Sequence, residues 1–202
     1  MTRRVLLATR SAGKLREWRA MLRDASIDVI DLVEAGIPES DAEGALENEP
    51  TFEANALVKA RHFQRVTGMP TVADDSGLEV NALGGEPGVR SKRWSGRIDL
   101  LGQALDDENN RVLLRRLEGC EDRAAKYVCA AAYSDGTRHV VERGETAGWI
   151  TMQPSGTGGF GYDPYFLSAE LGCTFGDVAM DEKARVSHRA RAFAKLLRYI
   201  AE

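Results

Sequence analysis

Three segments follow one another at the start of the chain. They are an apolar run from Arg4 to Thr9 (RVLLAT), a helical pattern opened by Gly13 and Lys14, and a second strand candidate from Ile27 to Leu32. In the middle segment Leu15, Trp18, Met21 and Leu22 share one helical face, with Arg16, Arg19 and Arg23 elsewhere. A short apolar run suits a buried strand. Strand, helix and strand within about 30 residues have the size of a βαβ unit. The fold therefore begins from a parallel strand pair joined by a crossover helix.

From Glu34 to Pro50 the chain turns acidic and carries Gly36, Pro38, Gly44 and Pro50, which reads as a long loop. A helix follows, with Phe52, Ala56, Ala60 and Phe63 at helical spacing; Pro50 suits its first turn and Gly68 its C′ position. Thr71 to Ala73 is predicted as a strand ending in Asp74-Asp75-Ser76-Gly77, with Leu78 to Leu83 a separate apolar segment. Ile98 to Leu117 reads as a helix with Leu101, Leu105, Val112 and Leu113 turned inward. Lys126–Tyr133 and His139–Ile150 flank Ser134-Asp135-Gly136, a hairpin signal. Pro154 to Pro164 is rich in glycine, and one last helix is expected from about Glu182 to Ile200. Helices and strands mixed in this way predict an α/β fold, a mixed sheet with helices packed on it. The length corresponds to one domain, residues 1–202, with the hairpin around 123–150 a candidate lobe of its own.

Composition narrows the function. The net charge is −4 and the pI about 5.5, whereas nucleic-acid-binding domains are usually basic, so no nucleic acid is expected as partner. No stretch approaches the roughly 18 apolar residues of a membrane span. Met1 to Leu7 lacks the long apolar core of a signal peptide, so a cytoplasmic protein without a membrane partner is expected. Cys120, Cys129 and Cys173 are odd in number and show no C-x-x-C spacing, which excludes a disulfide framework and speaks against a zinc ribbon.

Five segments carry candidate chemistry. Thr9-Arg10-Ser11-Ala12-Gly13-Lys14 leads from a strand into a helix, and reads equally as a structural helix start or as an anion site built from backbone N–H groups and the Lys14 ammonium. It is not a Walker A loop, which needs Ser or Thr where Leu15 stands. Asp74-Asp75-Ser76-Gly77 is either a plain Asx-type turn or a pair of hard oxygen ligands suited to Mg²⁺. The acidic loop with Glu43, Glu47 and Glu49 is by default solvated, and a second metal ligand could come from it. Gly156 to Pro164 (GTGGFGYDP) allows close backbone approach to a ligand, with Phe160 and Tyr162 able to stack on a base. Lys183 and Ser187-His188-Arg189 would lie on one helix, and alone would read as a solvated basic face, as would Lys59 on its own helix.

In order and spacing these stretches resemble one family, the inosine triphosphatase or RdgB-like house-cleaning nucleoside triphosphate pyrophosphatases. The resemblance rests on LLATRSAGK, TFEANALVKAR, TVADDSGLEVNALGGEPGVRSKRWSG, GTGGFGYDP and EKARVSHRARA, which span nearly the whole chain. It implies hydrolysis of inosine, deoxyinosine or xanthosine triphosphate to the monophosphate and pyrophosphate, with Mg²⁺ as cofactor. It also implies a long mixed sheet flanked by helices, two lobes with a central nucleotide-binding cleft, and a homodimer.

Carried over by position, Thr9, Arg10, Ser11, Ala12, Gly13 and Lys14 would hold the triphosphate. Asp75 would bind Mg²⁺ and act as general base, with Glu47 as second metal ligand and Glu43 as the alternative. Ser76 would contact the nucleotide, and Phe160, Gly161, Tyr162 and Asp163 would line base and sugar. Lys59 matches a lysine of the family's helix, Lys183 would reach the nucleotide, and His188 with Arg189 would read the purine edge. The chain departs from the family at Ser11, where Asn is usual, and around Glu47, where the usual glycine is missing. Two other readings remain, a Maf-like pyrophosphatase with another base preference and a catalytically silent nucleotide sensor.

Overall fold

The computed structural model describes residues 4–201; Met1-Thr2-Arg3, part of the N-terminus read above, and Glu202 lie outside them. β1 (Arg4–Leu7) and β2 (Asp28–Asp31) pair in parallel, Arg4 opposite Asp28 and Leu7 opposite Asp31, and α1 (Ala12–Asp24) is the crossover. The expected βαβ unit is present. Ser11 starts α1 as N-cap, its hydroxyl accepting the Lys14 N–H at 3.4 Å. The buried face of α1 is Trp18, Met21 and Leu22, and Trp18 meets Phe193 edge-on with ring centroids 5.7 Å apart. Burying a large apolar side chain of this kind is worth about 1.5–3 kcal/mol.

The stretch from Glu34 to Pro50 is not wholly irregular, since Asp41–Glu47 forms a 3-10 helix. α2 (Phe52–Thr67) is capped by Thr51, whose hydroxyl accepts the Ala54 N–H, so Pro50 precedes the cap instead of standing in the first turn. Gly68 closes the helix at φ +68, a left-handed conformation that glycine adopts without strain.

β3 is one ten-residue strand, Thr71–Val80, so Asp74-Asp75-Ser76-Gly77 lies inside a strand and does not end one. The start of β3 pairs with β1, Leu6 opposite Thr71 and Leu7 opposite Val72, and a strand inside a sheet can hold turn-forming residues extended. β4 (Ala124–Ser134) and β5 (His139–Ile150) flank the expected turn, and β6 (Phe166–Ser168) pairs antiparallel with the end of β5. The strand order β2-β1-β3-β4-β5-β6 makes the sheet mixed, as expected.

Two helices differ from expectation. α3 begins at Gly102 and ends at Arg116; Ile98 and Leu101, placed inside the helix by sequence, precede it and are 97% and 82% exposed. The last helix is two, α4 (Met180–Val186) and α5 (His188–Ala201), because Ser187 stands extended at ψ 150. Lys183 and Arg189 therefore belong to different helices.

The chain forms two compact units. The first comprises Met1–Asp75, Cys129–Gly144 and Arg189–Glu202, with a core that includes Val5, Leu7, Trp18, Leu22, Val72 and Leu196. The second comprises Ser76–Val128 and Glu145–His188, around Leu78, Leu113, Tyr127, Phe166 and Phe175. Residues of both hairpin strands are divided between the two units. No helix among the described residues is long and apolar enough to cross a membrane.

Candidate active site

In the first unit, β3 presents Asp74 and Asp75 on opposite faces, as neighbours on an extended strand must be. Asp75 faces α2. Asn55 donates its side-chain amide to Asp75 Oδ2 at 2.8 Å, and Lys59 Nζ lies 3.9 Å from Asp75 Oδ1 and 2.8 Å from Glu47 Oε1. Asn55 and Lys59 are four residues apart and so share a helical face. Burial raises the Asp75 pKa, against the opposing pull of Lys59, Lys14 and the Asn55 amide.

Asp74 faces a cationic cluster. Its Oδ2 is 3.1 Å from Lys14 Nζ and 3.4 Å from Arg189 Nε, and it accepts the Cys129 thiol at 3.8 Å. Burial works to raise the Asp74 pKa, but Lys14 and Arg189 overcome it and hold the carboxyl well below the usual range. Arg189 also pairs with Glu17 of α1. Cys129 is pushed far up by burial and by Asp74, which makes it an inert thiol.

Of the two candidate metal glutamates, Glu43 is held by Arg10. The Arg10 guanidinium forks onto both Glu43 oxygens, at 2.7 and 3.1 Å, and onto the carbonyls of Ile37 and Pro38. Glu47, at the end of the same 3-10 helix, is the one beside Lys59. No cluster of three or more His, Cys, Asp or Glu side chains able to hold a metal occurs among the described residues. Mg²⁺ commonly takes only one or two carboxylates and completes its shell with water and substrate phosphates. The hard oxygen donors of Asp75 and Glu47 fit that pattern.

In the second unit, the glycine-rich loop is closed by Asp163. Its Oδ2 accepts the Phe160 N–H at 2.8 Å and pairs with Lys183 Nζ at 2.6 Å, both side chains buried. Lys183 Nζ also lies 5.1 Å from the centroid of the half-buried Phe160 ring. Much of the glycine content serves this packing: a Cβ on Gly156 would lie 2.0 Å from the Gly176 carbonyl oxygen, and one on Gly159 would lie 2.1 Å from Asp163 Oδ2. His188 stacks on Tyr127, ring centroids 4.7 Å apart. The Tyr162 hydroxyl donates to the Ser91 carbonyl at 2.8 Å, and burial keeps its pKa high.

Several expected contacts are occupied within the protein. Arg10 is committed to the acidic loop and not to the α1 start. Ser11 caps α1, while Thr9 accepts the Ser11 N–H at 3.2 Å. Ala12 and Gly13 form the first turn of α1, and Ser76, the residue after Asp75, opens the second unit. Arg189, expected to read a purine edge, is 1% exposed and engaged by Asp74 and Glu17, so that role would require those pairs to open. Sequence reasoning passed over Asn55, Glu17, Asp106, Asn109 and Asn110. The last three sit on the helical face of Leu105 and Leu113, and that shared spacing is the signal that could have found them.

A mixed α/β sheet that carries a buried carboxylate–lysine centre, together with a lysine at a helix N-terminus, defines a protein equipped for a phosphorylated ligand. The sequence profile of the Ham1 family matches residues 5–199, and the chain belongs to that family. It is 43% identical over 198 residues to a dITP/XTP pyrophosphatase of Ralstonia nicotianae, covering 96% of this chain and 95% of that one. It is 40% identical over 199 residues to the dITP/XTP pyrophosphatase of Shigella flexneri, covering 96% of each. Among solved structures it is similar to a HAM1 protein from Coxiella burnetii, with TM-score 0.83, 33% identity and 99% of both chains covered.

Proposed function

We propose that the protein hydrolyses non-standard purine nucleoside triphosphates to the nucleoside monophosphate and pyrophosphate, and so removes deaminated purines from the nucleotide pool. The substrates are deoxyinosine, inosine and xanthosine triphosphates. The relatives described as dITP/XTP pyrophosphatases, aligned over nearly the full chain, support this reading. The observation that carries it is Asp75, a buried carboxylate of raised pKa, oriented by Asn55 and flanked by Lys59 and Glu47.

Water attacks the α-phosphorus. The new P–O bond forms as the bond to the bridging oxygen of the β-phosphate breaks, and pyrophosphate leaves with that electron pair. Asp75 takes the proton of the attacking water as general base. Lys59 and Lys14 offset the charge of the triphosphate, which a protein of net charge −4 must do locally. The N–H groups at the start of α1, with Thr9, Ser11 and Lys14, receive phosphate oxygens; an ammonium has three donors, so Lys14 can keep Asp74 while doing so. Asp75 and Glu47 would hold Mg²⁺, which when bound neutralises phosphate charge as a Lewis acid.

In the second unit, Phe160, Gly161, Tyr162 and Asp163, with Ser76, Lys183 and His188, serve base and sugar. The half-buried Phe160 ring is the stacking surface. Arg189 contributes to purine reading only when its pairs with Asp74 and Glu17 open. The reading carries with it a cytoplasmic location and a homodimer, and static light scattering of the purified chain checks the dimer by its mass.

The decisive assay is release of pyrophosphate against orthophosphate from inosine, xanthosine, guanosine and adenosine triphosphates, with and without Mg²⁺. Metal-dependent pyrophosphate from the inosine and xanthosine substrates is the expected result. Asp75→Asn should fold and lose about 10²–10⁴-fold in turnover. Orthophosphate as product, or near-normal turnover in that variant, contradicts the proposal.

A further inference from the structure

α3 turns three polar side chains inward. Asp106, Asn109 and Asn110 are each at most 8% exposed, on the face that also carries Leu105 and Leu113. Buried polar groups cost free energy unless hydrogen-bonded, and Asp and Asn are poor helix formers, so such a face calls for specific partners. The partners are two loops. Asp106 Oδ2 accepts the Gly161 N–H at 2.9 Å, and Asn110 Nδ2 donates to the Gly161 carbonyl at 2.9 Å. The same amide donates to the Asp106 carbonyl at 2.9 Å, which fixes which end of Asn110 faces the loop. Asn109 treats the neighbouring loop alike, accepting from Ser95 N–H at 2.8 Å and donating to the Lys92 carbonyl at 3.1 Å.

We propose that Asp106 and Asn110 are positioning residues for the base end of the nucleotide, gripping Gly161 by both its N–H and its carbonyl and so setting where the Phe160 ring stands. The inference rests on the reading of the glycine-rich loop given above. Gly161 stands at φ +64 with nothing within 4 Å of where a Cβ would be, so packing on that side does not orient it. On the other side of the Phe160–Gly161 peptide, Asp163 holds the Phe160 N–H. The Phe160 backbone is thus anchored from both ends, and the ring projects from a preorganised loop. Preorganisation spares the cost of ordering a loop on binding.

The test is the calorimetric affinity for inosine monophosphate, read beside KM and kcat for inosine triphosphate. Asp106→Ala and Asn110→Ala should each weaken monophosphate binding and raise KM about tenfold, the scale of one lost charge-assisted or buried hydrogen bond. kcat should stay within about threefold, because the phosphate-end residues are untouched. Lys92→Ala removes only the outer ion pair of Asp106, made by a largely exposed ammonium, and should stay within about twofold. Urea melts identify any variant that fails to fold, and Asp106→Asn and Asn110→Ser are the milder pair. Folded variants that bind as tightly as wild type, or that change no more than Lys92→Ala, overturn the inference. A wild type that binds the monophosphate but releases no pyrophosphate from the triphosphate overturns the hydrolase reading alone. A wild type that releases pyrophosphate but does not bind the monophosphate overturns the inference alone.

Discussion

One side chain, Asn55, ties Asp75 to the acidic loop: its amide reaches Asp75 Oδ2 at 2.8 Å while its carbonyl holds the Glu49 N–H at 2.9 Å. The backbone that leads out of Glu47 and the carboxylate of β3 are thereby set from one residue of α2. Asn55→Ala should cost about 1–3 kcal/mol in urea melts, since buried groups lose partners. Pyrophosphate release should drop about tenfold to a hundredfold as Asp75 loses its fixed orientation. Unaltered turnover in a folded variant would show that Asp75 does not depend on this contact.

The Asp74 cluster behaves as a buried ion network. Removing the shared anion in Asp74→Ala leaves Lys14 short of countercharge and Arg189 with Glu17 alone, and breaking such a pair typically costs about 3–5 kcal/mol. Denaturant unfolding measures it. A loss below about 1 kcal/mol would mean that water screens the cluster.

Arg10 is expected to hold the acidic loop in place instead of binding substrate. Arg10→Ala should leave the melting of the core almost unchanged but speed limited proteolysis between Ile37 and Glu47, because that loop loses four hydrogen bonds to one guanidinium. The Mg²⁺ concentration for half-maximal activity should rise severalfold as Glu47 loosens. Identical cleavage rates in variant and wild type would remove Arg10 from that role.

Asp135 gives a pH signature. The N–H groups of Arg138 and Thr137 hold its carboxyl at about 2, below the ordinary value of 3.8. A depressed pKa stabilises the fold above the unfolded value, and that contribution fades as pH falls through the folded one. The stability gap between wild type and Asp135→Asn should be full at pH 6 and shrink steadily from about pH 4 toward pH 2. Urea melts across that range read the gap, and a gap independent of pH would contradict the assignment.

Local pattern was enough for the βαβ start, the hairpin turn and the Gly68 end of α2, where caps and periodicity agree with the tertiary structure. It failed at β3, because Asp, Ser and Gly signal a turn unless a neighbouring strand pairs with them. It failed again at Ser187, where nothing in the residue types marks the extended kink that separates α4 from α5. Asp75, Lys59 and Glu47 are legible in the sequence as residue types in a recognisable order, and the structure brings them together. The Asn55 contact to Asp75 is not, nor is the buried pair of Arg189 with Glu17, because each joins residues far apart in sequence and leaves no spacing to read.

The crowding of Gly156 against the Gly176 carbonyl, and of Gly159 against the Asp163 carboxylate, changes what the glycine signature certifies. Those glycines are demanded by the architecture of the loop itself, with or without a ligand. A descendant that had lost catalysis would still be under pressure to retain them, and would carry the same fingerprint as a working enzyme. On the proposed reading, decay of activity in this lineage would first leave its mark elsewhere, at Asp75 and Glu47.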